Sequence, residues 1–347
     1  MPELIRPPKV RAGDRVAVVS PSAPAAAAFP HVHELGLRRL RDELGLVPVE
    51  YPTTRAASAT PVERARDLMD AFADPGIAAV LAVIGGDDQL TVLPHLDPDV
   101  VRASPKAFAG FSDNTNLLNW LWRAGVASWH GGSTMVHLGR PTATHPVSVG
   151  SLRAALLEGG DVELHPVDEF SDDDAEWGDP ARLHEPRPVR PAPGWHWSGP
   201  ARVVTGPTWG GNLEVLHWNL AAGRWIGEPA DYDGCVLLLE TSEEMPPATE
   251  VYRMLRNAGE RGLLARFPAV LMAAAKAANW QVRPPLADRE RFAEEQRGAV
   301  LRALAEYGQD PVVVVGVEFG HTDPQWVLPY GGRITVDGVA RRVVAHY

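Results

Sequence analysis

Short apolar runs alternate with segments of helical spacing through the first 150 residues of the chain. RVAVVS (15–20), VPVEYP (47–52), AAVLAVIGG (78–86) and KAFAGF (106–111) read as strands. Between them, apolar positions recur at helical spacing near 31–44 and from 61 onward, with a further helix expected from about Asp87 and another from Ser112 to Trp122. The run AAVLAVI shows no polar alternation, which suits a strand covered on both faces of a parallel sheet. Thr60, Pro61 and Glu63 mark one helix start. Thr caps it, Pro fits the first helical position and Glu completes a capping box.

The pattern changes between 160 and 200, where Asp, Pro and Trp are frequent and periodicity fades. Long irregular stretches inside folded proteins are usually lids or linkers, and the tryptophans favour a lid because linkers are poor in aromatics. Trp177, Trp195 and Trp197 fit equally a role in pinning this stretch to a surface. Strand-like runs return at 234–240 (GCVLLLE), 268–274 (PAVLMAA) and 311–317 (PVVVVGV), with helical patterns near 211–221, 247–262 and 286–306. The expected fold class is therefore α/β, with an N-terminal parallel-sheet domain (1–160), a Trp/Pro/Asp-rich insertion (161–200) and a C-terminal α/β domain (201–347).

Composition narrows the partners. The chain has 347 residues, 45% of them hydrophobic, which is enough for two cores. Its formal charge of −11 argues against nucleic acid, because duplex binding draws on clustered Lys and Arg. No long apolar span and no signal-like N-terminal run occur, so a cytoplasmic protein without a membrane partner is expected. The single cysteine, Cys235, lies in an apolar run and reads as a buried thiol.

Four places can carry chemistry. Ser112, in AGFSDNTN, follows a buried strand and opens a helix, at the sheet edge where open α/β folds place their sites; the same position also suits a plain helix cap. The free amide of Asp113 can stabilise an oxyanion there. Gly85 and Gly86, in VIGGDDQL, close another buried strand and allow close backbone approach, either to a ligand or in a simple turn; IGGDDQ does not match G-x-G-x-x-G. Glu240 ends the run GCVLLLE, where a carboxylate needs a partner, an imidazolium or nearby amides. Its neighbours Glu243 and Glu244 read as solvated acids at a helix start. His321 lies on a loop beyond PVVVVGV and can serve as a general base. No H-E-x-x-H spacing supports a metal, and His130 in SWHGG is the other histidine of interest.

Together, GFSDNTNLL, TWGGNLEVL, LLLETSEE and GHTDPQWVLPYGG resemble, in order and spacing, the LD-carboxypeptidase family of serine peptidases across nearly the whole chain. The resemblance implies a flavodoxin-like or Rossmann-like N-terminal domain, an active site between two domains, and a homodimer. It implies Ser112 as nucleophile, His321 as base and Glu240 as its orienting acid, with the amides of Asp113 and Gly86 as the oxyanion hole and no cofactor. Within the family, the Trp-bearing insertion and LLLETSEE are more similar to the microcin C immunity branch, which cleaves aminoacyl-nucleotides, than to the branch that trims murein tetrapeptides. Gly85, Trp177 and Trp209 are then the expected substrate contacts, Trp177 by stacking on a base. Met245 stands where some relatives are expected to carry a basic residue. A non-catalytic α/β binding protein for a nucleotide or peptide is the rival outside the enzymes.

Overall fold

The four apolar runs of the first half become strands of a parallel sheet, joined by a fifth strand that was not expected, in a computed structural model that describes residues 4–174 and 176–347. They are β1 (Arg15–Val19), β2 (Val47–Glu50), β3 (Ala79–Ala82), β4 (Ala107–Gly110) and β5 (Ser128–His130). The second half supplies β6 (Asp161–Leu164), the hairpin strands β7 (Glu169–Phe170) and β8 (Arg190–Pro191), β9 (His196–Ser198), and β10 (Val203–Asn212). It continues with β11 (Val236–Glu240), β12 (Ala269–Ala273), β13 (Val312–Val317), β14 (Leu328–Tyr330), β15 (Arg333–Asp337) and β16 (Arg342–His346). β3, β4, β11 and β12 are buried along their whole length, as their uninterrupted apolar sequences require.

The first sheet runs β14-β5-β4-β3-β1-β2, and the second β6-β16-β15-β10-β11-β12-β13-β9. In the second, β10 to β13 are parallel and the flanking strands antiparallel. The fold is thus α/β with two large sheets, a two-stranded β7–β8 ribbon and two domains. The sheets do not respect the expected boundaries, however. β14, from the C-terminal part, pairs antiparallel with β5, so Leu328 lies opposite His130. β6 and β9, expected inside a loop-like insertion, are strands of the second sheet instead. These are three- and four-residue strands, too short for alternation to show in sequence.

The capping box at Thr60 forms: the Thr60 hydroxyl accepts the Glu63 amide at 3.3 Å and the Thr60 amide donates to the Glu63 carboxylate at 2.8 Å. The helix expected from Asp87 does not form. Two 3₁₀ turns, Gln89–Thr91 and Leu93–His95, precede a six-residue helix Pro98–Ala103. Pro94 and Pro98 each lack an amide proton and restrict the residue before them, which breaks the segment into pieces.

One apolar core crosses between the sheets. Leu117, Leu118 and Trp120, on the helix Thr115–Arg123 that follows Ser112, belong to the same buried cluster as Trp209, Leu237 and Phe267. Polar contacts fix the register of that seam. The Asn212 amide donates to Thr115 Oγ1 at 3.0 Å, Asn219 Nδ2 donates to Asn116 Oδ1 at 2.8 Å, and Trp209 Nε1 donates to Asn119 Oδ1 at 3.0 Å.

Candidate active site

Ser112 leaves the end of β4 in the left-handed region (φ 61°), then enters a 3₁₀ turn, Ser112–Asn114, that feeds the helix Thr115–Arg123. Such a backbone costs a non-glycine residue roughly 1–2 kcal/mol and turns the side chain out of the sheet edge. The buried Asp113 carboxylate holds the turn in place. It accepts from the Ser22 hydroxyl, from the Gln89 amide at 2.9 Å and from Asn116 Nδ2 at 2.8 Å, while burial pushes its pKa up. Among the described residues, the Asp113 and Gly86 backbone amides donate to no other group of the chain.

Glu240 is the last residue of β11 and is fully buried. His321 lies four residues beyond the end of β13. Both therefore sit, like Ser112, at carboxyl ends of parallel strands, and the two sheets turn those ends toward one cleft. His321 Nδ1 lies 2.6 Å from Glu240 Oε2, and Nε2 lies 3.0 Å from Ser112 Oγ. Gly320 permits this approach: a Cβ there would lie 2.9 Å from Ala273 Cβ and 3.0 Å from Glu240 Cβ. Gly85 does the same on the other side, where a Cβ would come within 2.8 Å of Ser112 Cβ. Gly86 faces Ser22 and Ala23, and a Cβ there would lie 2.1 Å from Ser22 Oγ.

A third contact was not expected from sequence. Glu243 Oε2 lies 3.1 Å from His321 Nε2, the same nitrogen that faces Ser112. Glu243 and Glu244 occupy a turn rather than a helix start, since the helix begins at Ala248. The reading of Glu243 as a merely solvated acid is thus corrected. Glu214, buried at the start of the helix Leu213–Ala222, accepts from both the amide and the hydroxyl of Ser242 at 2.9 and 2.7 Å, which fixes the chain between Glu240 and Glu243. Burial alone would lower the His321 pKa, but the carboxylates of Glu240 and Glu243 outweigh it and lift it to about 10. Burial acts on Glu243 in the opposite sense, and its contact with His321 brings it down to about 2.

The cleft beside Ser112 encloses about 590 Å³, with Gly85, Gly86, Phe29, Trp177, Trp280 and Glu243 among its walls. Trp177 meets Phe29 edge to face at 5.6 Å between ring centroids. Trp209 is not part of this cleft. It is buried against Tyr232 and Phe267, with centroids 4.2 and 5.8 Å away, so the expectation that it touches substrate is corrected. The glycines that follow it serve close packing: a Cβ on Gly211 would strike Thr115. His130 is wholly buried between Phe111 and Phe319, away from the cleft, and burial pushes its pKa down to about 4. The Cys235 thiol is buried and pushed up to about 12, an inert environment.

The cations of the cleft are spoken for. Arg140 donates to Asp323 at 2.8 Å, Arg187 lies 3.7 Å from the same carboxylate, and the buried Lys276 meets Asp174 at 2.6 Å. Sequence could not pair these, because each partner lies 102 or more residues away along the chain. No cluster of potential metal ligands occurs among the described residues. Among them, too, no helix is long and apolar enough to cross a membrane.

A hydroxyl, an imidazole and a carboxylate linked in that order, beside free backbone amides at a strand-to-helix turn, form the kind of site that can run serine hydrolysis. The comparisons with known proteins agree on the class. The chain matches the LD-carboxypeptidase N-terminal domain over residues 16–131 and the LD-carboxypeptidase C-terminal domain over 205–336. It belongs to the LD-carboxypeptidase family of serine peptidases and is a peptidase-family hydrolase. A Vibrio cholerae protein named as a carboxypeptidase is 26% identical over 94% of this chain and 92% of its own. The microcin C7 self-immunity protein MccF of Escherichia coli is 25% identical over 94% and 91%. The murein tetrapeptide carboxypeptidase of Pseudomonas aeruginosa is 30% identical over 65% and 66%. The solved structure of MccF without ligand superposes with a TM-score of 0.85, at 21% identity, over 99% of this chain and 98% of that one, and MccF has also been solved with aspartyl sulfamoyl adenosine.

Proposed function

We propose that the chain hydrolyses the amide bond of a small aminoacyl-nucleotide, using Ser112 as nucleophile, His321 as general base and Glu240 as the acid that orients it. The observation that carries this reading is the hydrogen-bonded series from Ser112 Oγ through His321 to Glu240, at 3.0 and 2.6 Å. Ser112 Oγ attacks the carbonyl carbon as its proton passes to His321 Nε2. The carbonyl oxygen becomes an oxyanion facing the amides of Asp113 and Gly86. His321 then gives the proton to the leaving nitrogen, an ester to Ser112 remains, and water activated by the same imidazole releases the acid. The rings of Trp177 and Trp280 offer apolar faces for a base, and stacking of that kind contributes roughly 1–3 kcal/mol. MccF, 25% identical over nearly its full length and solved with an aminoacyl-sulfamoyl nucleoside, supports the substrate class.

Murein tetrapeptide trimming is the second reading, favoured by the Pseudomonas aeruginosa relative. A substrate with a free terminal carboxylate calls for an uncommitted cation, whereas Arg140, Arg187 and Lys276 already face carboxylates. The deciding experiment is mass spectrometry of products after purified wild type and Ser112→Ala are each incubated with an aminoacyl-sulfamoyl adenosine and with a murein tetrapeptide. Release of the amino acid by wild type alone is expected. Tetrapeptide trimming alone would move the chain to the second reading, and undiminished turnover by Ser112→Ala would remove Ser112 from the mechanism.

A further inference from the structure

His321 Nε2 has two neighbours and one bond to offer. Ser112 Oγ lies 3.0 Å away and Glu243 Oε2 3.1 Å away, while Nδ1 is committed to Glu240. A carboxylate accepts protons and does not donate them, so its contact with Nε2 is satisfied when that nitrogen carries a proton. In that state the nitrogen cannot take the proton of Ser112. The free site is therefore arranged around a base that Glu243 keeps occupied.

Glu243 is also the odd carboxylate of the cleft. Asp174 has Lys276, Asp323 has Arg140, and Glu176 has Arg182 at 3.6 Å. Among the described residues Glu243 pairs only with the imidazole. About half its side chain is exposed, so an incoming group can reach it from the cleft. Its backbone is held from both sides, by the Glu214–Ser242 bonds and by Asn279 Nδ2, which donates to the Glu243 carbonyl at 3.0 Å. The turn that carries the carboxylate is thus fixed at the mouth. The other charged or titratable groups nearby are Glu240 and His130 around His321, and Lys276 near Glu243.

We infer that Glu243 is the receptor for a substrate ammonium group one carbon removed from the scissile carbonyl, and that this pairing releases His321 Nε2 to Ser112. Ser112 and Glu243 contact the same ring nitrogen, so a carbonyl brought to Ser112 places its α-ammonium within reach of Glu243. The inference rests on the proposed hydrolysis and narrows its substrate: the acyl part carries a free α-amine, as an aminoacyl group does and an interior residue of a peptide does not. The ammonium takes over the carboxylate, and Nε2 gives up its proton to solvent and accepts from Ser112 instead. Selection for the amine and activation of the base are then one event.

Two measurements test it. In the first, binding of an aminoacyl-sulfamoyl adenosine and of its N-acetyl derivative to Ser112→Ala is compared by calorimetry, with and without Glu243→Gln. The free amine should bind roughly 10- to 100-fold tighter, and Glu243→Gln should erase most of that preference. In the second, the His321 imidazole is titrated by NMR in the absence of ligand. It should titrate at least about one pH unit lower in Glu243→Gln than in wild type. Equal binding of the two derivatives, or an imidazole unmoved by the substitution, overturns the inference. Retained preference for the amine without cleavage by wild type would count against the proposed reaction and leave the role of Glu243 standing. Failure of both derivatives to bind would remove the ammonium receptor together with the nucleotide substrate.

Discussion

Glycines at 85 and 320 matter for what they lack. A methyl at Gly320 would meet Glu240 Cβ at 3.0 Å and Ala273 Cβ at 2.9 Å, forcing His321 and Glu240 apart. Gly320→Ala is expected to lower kcat roughly 100-fold while leaving substrate binding nearly unchanged, since a displacement near 1 Å at reacting groups has that scale of effect. A drop in affinity with kcat intact would contradict this. The pH dependence follows from His321. Its pKa is raised, to about 10, so the imidazole is mostly charged at neutral pH in the free protein. For a substrate without an amine, kcat/KM should climb from pH 7 toward 10, and a profile flat over that range would refute the protonated resting state. The same shift adds stability that is fully present below the unfolded imidazole value near 6.5 and is lost as pH rises through about 10.

At the scale of elements, the 165–198 stretch is fastened rather than loose. β6 precedes it and β9 closes it, both paired in the second sheet, and Ser171 exchanges two backbone hydrogen bonds with Asp323 beside His321. Asp172 is buried between Arg190 at 2.8 Å and Arg289 at 2.9 Å. Burial raises its pKa, and the two guanidinium groups outweigh that and lower it. Asp172→Ala should leave Arg190 without its carboxylate and Arg289 with Asp173 alone, at 3.3 Å, destabilise by about 3 kcal/mol and open the stretch to limited proteolysis; protection equal to wild type would show that the hairpin does not depend on this pair. Glu318, just past β13, accepts from Trp195 Nε1 at 2.9 Å, and burial pushes it up to about 7. Its ionisation in the folded chain is disfavoured, so it withdraws stability as pH rises from near 4.5 through 7. Glu318→Gln keeps an acceptor for Trp195 and should stabilise the protein by on the order of 2 kcal/mol at pH 8 but not at pH 4, as denaturant titration at the two pH values would reveal.

The whole molecule shares its core and its strands between the sheets. β14 crosses to the first sheet between β13 and β15 of the second, and the helix after Ser112 packs into a cluster that includes Leu237 and Phe267. Ser112 and His321 therefore keep their separation without a closing motion of independent bodies. Urea unfolding followed by far-UV circular dichroism and by tryptophan fluorescence should coincide in one transition. Trp209→Phe keeps the stacked ring and removes the N–H that reaches Asn119. It should cost about 1–2 kcal/mol in that transition and little in KM, which separates a seam residue from a substrate contact.

The sequence determined the elements whose cause is local. Uninterrupted apolar runs became buried parallel strands, Thr60, Pro61 and Glu63 capped a helix at the expected residue, and Ser112, Glu240 and His321 stood out because each ends or follows such a run. Short strands at sheet edges, the segments broken by Pro94 and Pro98, and the packing role of Trp209 were not legible, because three or four residues carry no period and a tryptophan before two glycines suits a wall or a core alike. Only the tertiary structure decided which charges meet. Glu243 is one of two adjacent glutamates, and nothing in the order of residues says that its carboxylate, and not that of Glu244, reaches His321 Nε2 from 78 positions away. That is settled by where β11 and β13 end and by how Glu214 and Asn279 hold the turn between them, contacts that depend on distance in space and not along the chain.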